Sequence, residues 1–292
     1  MHISRGAAAL ALSLFVAPFA LAVDIYAPDN LGNINGGTVG DRLIKFDSLN
    51  PNAVTVIGDM GVAGTLFTGM DFSSNGTLYA YARDNTVGGL FSVSTSTGAT
   101  TFIGRGGIPG THLVGDMAWD PVAQQMLLVS TNTIERCNLY TVSLSTGVAT
   151  LLGQITNPSQ TQFIDVGLAV DAQGNRYIHD VLSDQIFKLS GLVANPLPTP
   201  LGYNSNFSQG LTIDWSRDNQ GYHGAFNQDT GRSELYTWNI GTGAESFVGN
   251  IGPIHQGGVI SEYEPGDVAI PPVPEPASLL LLGLGALVLR RR

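Results

Sequence analysis

The stretch that decides the fold is GMDFSSNGTLYAYARDNTVGGLFSVSTSTGATTFIG, residues 69–104. It holds four short segments in which apolar and polar residues alternate, and turn-forming residues separate them, which predicts four β-strands. The third segment, Leu90-Phe91-Ser92-Val93, has relatives along the chain at offsets of 47, 49, 47 and 49 residues. The five related segments begin at Leu43, Leu90, Leu139, Ile186 and Leu235.

Four strands in every unit of this length are typical of a propeller blade, which cannot bury its two sheet faces without neighbours. We therefore predict an all-β fold, a β-propeller with five four-stranded blades. Six blades are the alternative, and a long β-sandwich is the rival architecture. Each fourth strand is expected to end on a glycine, as in Phe102-Ile103-Gly104, and in the fourth unit that strand is expected at Leu201-Gly202.

The first unit lacks an innermost strand, so a C-terminal strand is expected to complete the first blade and to cover its exposed edge. Two segments qualify. Gly258-Val259-Ile260-Ser261 follows Gly249 after nine residues, a gap like those between the other units. Gly266-Asp267-Val268-Ala269-Ile270 is closer in sequence to other first strands, but its gap of 17 is longer.

The termini differ in composition from the repeats. Residues 1–22 have a positive start, an apolar core and a small-residue end, which predicts a secretory signal peptide and a mature chain from Val23. The propeller domain is expected over 23–263, and a proline-rich spacer over 264–276. Without the signal and the residues after Pro276, nine basic residues remain against 23 acidic ones, a net charge of −14. That charge argues against nucleic-acid partners.

Residues 273–292 combine Val273-Pro274-Glu275-Pro276, an apolar segment, and Arg290, Arg291 and Arg292 at the end. This combination resembles the PEP-CTERM sorting signal of Gram-negative bacteria. The resemblance implies transient inner-membrane association, processing by an exosortase near the Pro-Glu-Pro motif, and delivery to the cell surface or extracellular matrix. The apolar run is short for a full membrane span, which favours a processed anchor over a permanent C-terminal anchor.

Candidate binding residues lie on the propeller face that carries the connections between blades, because function tends to reside on such loops. Asp71, Asp116 and Asp165 lie on or beside innermost strands, where their oxygens could surround a channel Ca²⁺. No other cofactor is expected, and hydrogen bonding to neighbouring backbone is the alternative role for these acids. The remaining candidates on this face are His112, His255, Arg83 and Arg136.

No catalytic motif is present in the sequence, so no catalytic residue is assigned. We expect an exported, non-enzymatic binding or structural module, with exopolysaccharide or another envelope component as its partner. Tyr203, Phe207, Trp215 and Tyr222 could supply a sugar-stacking surface. The alternative is a propeller hydrolase or lyase with a cation at the channel mouth. Cys137, the single cysteine, is expected to be a small buried packing residue.

Overall fold

The structure is a computed structural model that describes residues 22–30, 41–62, 64, 66–83, 88–132, 137–160, 162, 164–253 and 262–272. In these ranges the chain forms nineteen β-strands in five antiparallel sheets, one of three strands and four of four strands. One short 3₁₀ turn, Trp215–Arg217, interrupts the pattern. The sheets are the blades of a five-bladed β-propeller, which confirms the predicted fold class.

The strands follow one another in each blade as the repeat predicts. Blade I contains β1 (Asp24–Asp29), β2 (Arg42–Asp47) and β3 (Asn50–Asp59). Blade II contains β4 (Phe67–Phe72), β5 (Leu78–Ala82), β6 (Gly89–Val93) and β7 (Thr100–Gly104). Blade III contains β8 (Leu113–Asp120), β9 (Gln125–Thr131), β10 (Asn138–Val142) and β11 (Ala149–Gln154). Blade IV contains β12 (Asp165–Val170), β13 (Arg176–Asp180), β14 (Gln185–Ser190) and β15 (Val193–Pro196), and blade V contains β16 (Ser205–Asp214), β17 (Gln220–Asn227), β18 (Arg232–Trp238) and β19 (Glu245–Asn250).

The core is divided among the five junctions between blades. Each of five buried apolar clusters joins two adjacent blades, and one of them joins blade V back to blade I. In that last cluster Tyr222 and Leu235 of blade V pack with Ile25 and Phe46 of blade I. Since alternate residues of a strand point to opposite faces, every blade supplies apolar side chains to both neighbours. The ring is therefore closed by the same burial that joins consecutive blades.

A C-terminal segment, residues 264–270 (the closing segment), takes the place of the missing innermost strand of blade I. The backbone groups of Tyr26 and Ala269 exchange two hydrogen bonds of 2.9 and 2.8 Å, and Pro265 forms a bridge with Asp29. Closure therefore uses the second of the two segments considered, while residues 258–261 lie outside the described part of the chain. Similarity of Gly266–Ile270 to other first strands identified the closing segment correctly, whereas the length of the gap after Gly249 favoured the other segment.

Two predicted boundaries need correction. The spacer expected from residue 264 begins later, because Val268 and Ala269 are almost fully buried and Ile270 is only 8 % exposed. The fourth strand of blade IV was wrongly placed at Leu201-Gly202. A tight turn with Gly191 at φ 63° brings the chain back at once, so Ser190 pairs with Val193. Leu201 is buried in the connection that follows.

The glycine that ends a fourth strand packs against a turn of the next blade. A Cβ on Gly104 would lie 2.0 Å from the carbonyl oxygen of Thr146, and a Cβ on Gly58 would lie 2.1 Å from that of Thr97. Gly147, in the turn that Gly104 contacts, has φ +69° and no room for a side chain. These contacts explain why glycine recurs at both places in the repeat.

We predict that Gly104→Ala lowers the free energy of unfolding by roughly 2 kcal/mol, because the added methyl group must push two backbones apart. Thermal and denaturant unfolding of the purified propeller measure this effect. Gly202→Ala is the matched control, since nothing lies within 4 Å of its Cβ. Equal stability of the two variants would show that the blade contact is looser than described.

Candidate functional site

Two buried carboxyl groups meet at the centre of the ring. Asp116 on β8 and Asp267 in the closing segment are both fully buried, and their side chains hydrogen-bond to each other. Burial raises the pKa of both carboxyls well above the usual range, which keeps a proton in the pair. The remaining oxygens accept backbone N–H groups from neighbouring blades, Leu168 at 2.5 Å from Asp116 and Met70 close to Asp267.

Asp71 repeats this arrangement between blades II and III. One carboxyl oxygen accepts the N–H of Phe72, its own neighbour, and the other accepts the N–H of Trp119 in β8, both at 2.7 Å. Burial raises the pKa of Asp71 to about 7, against the two hydrogen bonds, which act in the opposite direction. The carboxyl thus links two innermost strands.

Asp165 lies close to Asp116 but contacts other groups. Burial, followed by the charge of Asp180, raises the pKa of Asp165 well above its usual range. The Asp165 N–H donates to the Cys137 sulfur at 2.9 Å, and burial likewise raises the pKa of that thiol. Cys137 is fully buried in the core between blades III and IV, as predicted from the sequence.

Of the other predicted site residues, only His112 and Arg83 fall within the described ranges. His112 is buried and its Nδ1 lies 2.9 Å from the Ser130 hydroxyl, which ties a loop to β9. Burial lowers the pKa of Arg83, which lines a small cavity with Thr68 and Thr131. His255 and Arg136 lie outside the described residues, as do the sorting-motif residues Val273, Pro274, Glu275, Pro276, Arg290, Arg291 and Arg292.

A small cavity lies on this face. It has Arg83, Thr68 and Thr131 in its wall and a volume of about 10 Å³, roughly the room that one water molecule needs. Among the described residues, no group of three or more His, Cys, Asp or Glu side chains could hold a metal ion. Asp71 and Asp116 use their oxygens to bind backbone N–H groups and, for Asp116, the Asp267 carboxyl. Asp165 accepts the Gly167 N–H through Oδ1, and its buried Oδ2 has no hydrogen-bond partner.

A second buried polar cluster, which the sequence did not reveal, joins blades IV and V. The rings of His179 and His223 are in edge contact, with centroids 4.9 Å apart. The Nδ1 atom of His223 lies 2.6 Å from Glu245, whose other oxygen accepts the Tyr203 hydroxyl at 3.1 Å. Burial lowers the pKa of His179 well below its usual value, so this imidazole stays neutral. Two neighbouring second strands with histidine at the same position were the available signal.

A larger cavity lies on the opposite face, which carries the turns between first and second strands and between third and fourth strands. A groove of about 390 Å³ (the blade V groove) runs between the turn after β16 and the turn after β18. Most of its lining is polar. The lining residues are Arg217, Asp218, Asn219, Gln220, Thr237, Trp238, Asn239, Ile240, Ala244 and Ser246.

The walls of the blade V groove are held in place by local hydrogen bonds. Asn219 accepts from the Ala172 N–H and donates to the Gln173 side chain, both at 3.0 Å, which fixes it to blade IV. Asp218 and Asn219 have φ of 54° and 58°, a left-handed conformation that side chains other than glycine seldom adopt. Asn239 accepts the N–H groups of its own turn, at 2.9 Å from Gly241.

The sequence predicted the turn role of the acids after the innermost strands, but not this groove. Asp120 and Asp171 cap their turns by accepting backbone N–H groups at 2.8–3.0 Å. Asp214 does the same at 2.9 Å from Ser216, but its turn is longer and contains the 3₁₀ turn. That extra length builds one wall of the groove, and the insertion relative to the other repeats was its only sequence signal.

The aromatic residues proposed for sugar stacking are not gathered into one surface. Tyr222 is buried in the core, and Tyr203 stacks on Tyr236 with ring centroids 4.8 Å apart. Trp215 is partly buried and donates its indole N–H to the Val170 carbonyl at 2.8 Å. The Phe207 side chain lies outside the described part of the chain.

The fold and the innermost strands define a five-bladed β-propeller with a protonated carboxyl pair at its centre. The chain carries a PEP-CTERM protein-sorting motif at residues 272–292, which confirms the resemblance seen in the sequence. The motif indicates an exported protein that is sorted to the cell surface, and it implies processing by an exosortase. No curated protein matches the sequence. Within the described residues, no helix has the length and apolar character needed to cross a membrane.

Solved structures of several kinds resemble this structure at low identity. A gluconolactonase from Xanthomonas campestris has a TM-score of 0.45 and 10% identity, covering 77% of this chain and 74% of its own. The calcium-binding protein regucalcin from Agrobacterium tumefaciens has a TM-score of 0.42 and 14% identity, covering 70% and 65%. A chain of a nidogen–laminin complex has a TM-score of 0.48 and 10% identity, covering 86% and 98%. Such likeness carries no activity to this chain.

We predict that Asp71→Asn reduces the loss of stability on raising the pH from 5 to 8. The folded state raises the pKa of Asp71 from its ordinary value near 4 to about 7, so it favours the protonated form. The resulting stabilisation is complete at low pH and is lost as the pH rises through 7. His179 acts with the opposite sign, so the quantity to compare is the difference between wild type and variant.

Melting temperatures measured across this pH range give the comparison. Asn offers one acceptor oxygen where Asp71 offers two, so the variant should also melt lower than wild type at pH 5. Asp218→Asn removes the same charge from an exposed turn and is the control for the loss of one carboxylate. An Asp71→Asn variant with the wild-type slope would show that this carboxyl titrates normally.

Proposed function

We propose that the mature propeller is a cell-surface binding module without catalytic activity, and that it holds a neutral, polyhydroxylated chain such as an exopolysaccharide. The observation that carries this proposal is the blade V groove. Its volume of about 390 Å³ falls in the range of roughly 300–1,000 Å³ that small-molecule sites occupy. Five of its ten lining side chains carry hydroxyl or amide groups, which match the donors and acceptors of sugar hydroxyls.

The groove is pre-organised for such a ligand. The hydrogen bonds of Asn219 to blade IV and of Asn239 to its own turn restrict both side chains before anything binds. Gln220 donates to the carbonyls of Gly221 and Trp238, at 3.0 and 3.5 Å. Binding then costs less conformational entropy than it would in a set of free surface side chains.

The buried position of the central carboxyls is a second observation that supports binding rather than catalysis. A glycoside hydrolase or lyase needs carboxyl groups that reach the substrate. Asp116 and Asp267 face each other, but both are fully buried. The small cavity beside Arg83 has room for about one water. These acids act in the proposal as connectors between blades, so the sugar is held and not cleaved.

Export in this proposal uses both ends of the chain. A signal peptidase removes residues 1–22, and an exosortase then processes the chain near Pro274–Pro276 and releases the propeller from the inner membrane. Intact-mass spectrometry of the protein recovered from the cell surface should give a chain that starts at Val23 and lacks the apolar segment. A surface protein that keeps residues 277–292 would contradict this maturation and favour a permanent anchor.

We predict that Ala244→Trp abolishes binding to oligosaccharides without unfolding the propeller. Ala244 is exposed and lines the groove, so an indole there fills the space in which a sugar would lie. Binding is first screened on an array of neutral bacterial oligosaccharides and then measured by calorimetry with the best sugar. The expected loss of affinity is at least about tenfold, the effect of about 1.4 kcal/mol.

Ala99→Trp is the matched control, because Ala99 follows the equivalent Thr-Gly turn of blade II and is also exposed. This variant should bind like wild type. Equal loss in both variants would place the site elsewhere or reveal a general effect of surface tryptophan. Wild-type protein that binds no sugar on the array would overturn the proposed ligand class.

A further inference from the structure

The closing segment is the last part of the propeller and is joined directly to the sorting motif. It pairs with β1 along most of its length. Besides the two bonds between Tyr26 and Ala269, the Gly266 N–H donates to Pro28 and the Asn30 N–H donates to Glu264, both at 2.9 Å. Blade I has only three strands of its own, so the segment supplies its innermost position.

The closing segment also contacts blades on both sides of blade I. Asp267 accepts the Met70 N–H of blade II and meets Asp116 of blade III. On the other side a Cβ on Gly210 of blade V would lie 2.4 Å from Asp267, and one on Gly224 would lie 2.6 Å from Val268. Removal of this segment would expose the edge of blade I and unpair the central carboxyls.

Little chain separates this buried segment from the place of processing. Ile270 is 8 % exposed, and the sorting motif starts at residue 272. Four residues lead from Ile270 to Pro274, so their Cα atoms can be at most about 14 Å apart. The apolar run starts at Ala277, at most about 25 Å from Ile270. A processing enzyme in the inner membrane would have to accept an extended peptide right beside a folded propeller.

We propose that the processing enzyme and the propeller compete for the closing segment. Engagement of the sorting motif then requires the closing segment to leave blade I, and the ring closes for good only after processing. The partner is a membrane-embedded processing enzyme. Competition arises because the peptide that this enzyme must bind adjoins the strand that completes blade I. The rate of processing is set by the fraction of molecules in which the segment is open.

Insertion of twelve Gly and Ser residues between Pro271 and Pro272 tests this competition directly. The insertion lies after the last buried residue and before the motif, so fold and motif both stay intact. Pulse–chase labelling in a host that processes the wild-type protein gives the rate. If the segment is open in about a tenth of wild-type molecules, the spacer raises the rate about tenfold.

The same spacer between Asn75 and Gly76, an exposed turn of blade II, is the matched control and should process like wild type. A spacer before the motif that leaves the rate unchanged would overturn the proposal, since distance would then be irrelevant.

A disulfide lock provides the second arm. Tyr26 and Ala269 form a pair with two mutual hydrogen bonds, a geometry whose Cα separation of about 5.5 Å suits a disulfide. The double variant Tyr26→Cys with Ala269→Cys should form the bond during export and remain unprocessed. Addition of the spacer to the locked protein should restore processing, and the serine pair should process without the spacer. Wild-type rates in the locked protein would contradict the competition.

Discussion

The propeller depends on carboxyl groups that bind backbone N–H groups across neighbouring innermost strands. Asp71 links blade II to blade III, Asp116 links blade III to blade IV, and Asp267 links the closing segment to blade II. A carboxyl has two oxygens, so one side chain can accept an N–H group of its own strand and another of a neighbouring strand. Burial raises the pKa of each carboxyl, and the shared proton of Asp116 and Asp267 lets two acids occupy one centre.

Most of the fold could be predicted because the same alternation of apolar and polar residues, followed by turn residues, recurs in every blade. The third strands begin where the pattern at Leu43, Leu90, Leu139, Ile186 and Leu235 placed them, within three residues. The fourth strand of blade IV could not be read in this way, because Gly191 starts a two-residue turn, whereas blades II, III and V have six residues at this place. The closing segment was ambiguous because nearness in the chain and likeness to a strand favoured different residues.

The candidate site was harder to predict, because it depends on pairs of residues far apart in sequence. Asp71, Asp116 and Asp165 were predicted as channel acids, but no motif marks their partners. Asp116 pairs with Asp267, about 150 residues later, while Asp71 binds backbone N–H groups and Asp165 lies beside Asp180. The blade V groove arises from one longer turn beside an ordinary one. Sequence periodicity reports what the blades share, whereas a groove is built where one blade differs.

The direction of the closing segment determines the face of the propeller from which the chain continues to the sorting motif. It runs antiparallel to β1, so Ile270 lies at the end where β1 begins, opposite the loop between β1 and β2. By the same topology, that face carries the turns between first and second strands and between third and fourth strands. Two of these turns form the blade V groove. The chain thus leaves the propeller from the face that carries the groove. In the proposed maturation, a tether of at most about 25 Å holds this face toward the inner membrane until processing. Release would then expose the groove at the same time as it lets the ring close, so one cleavage would complete both the fold and the binding face.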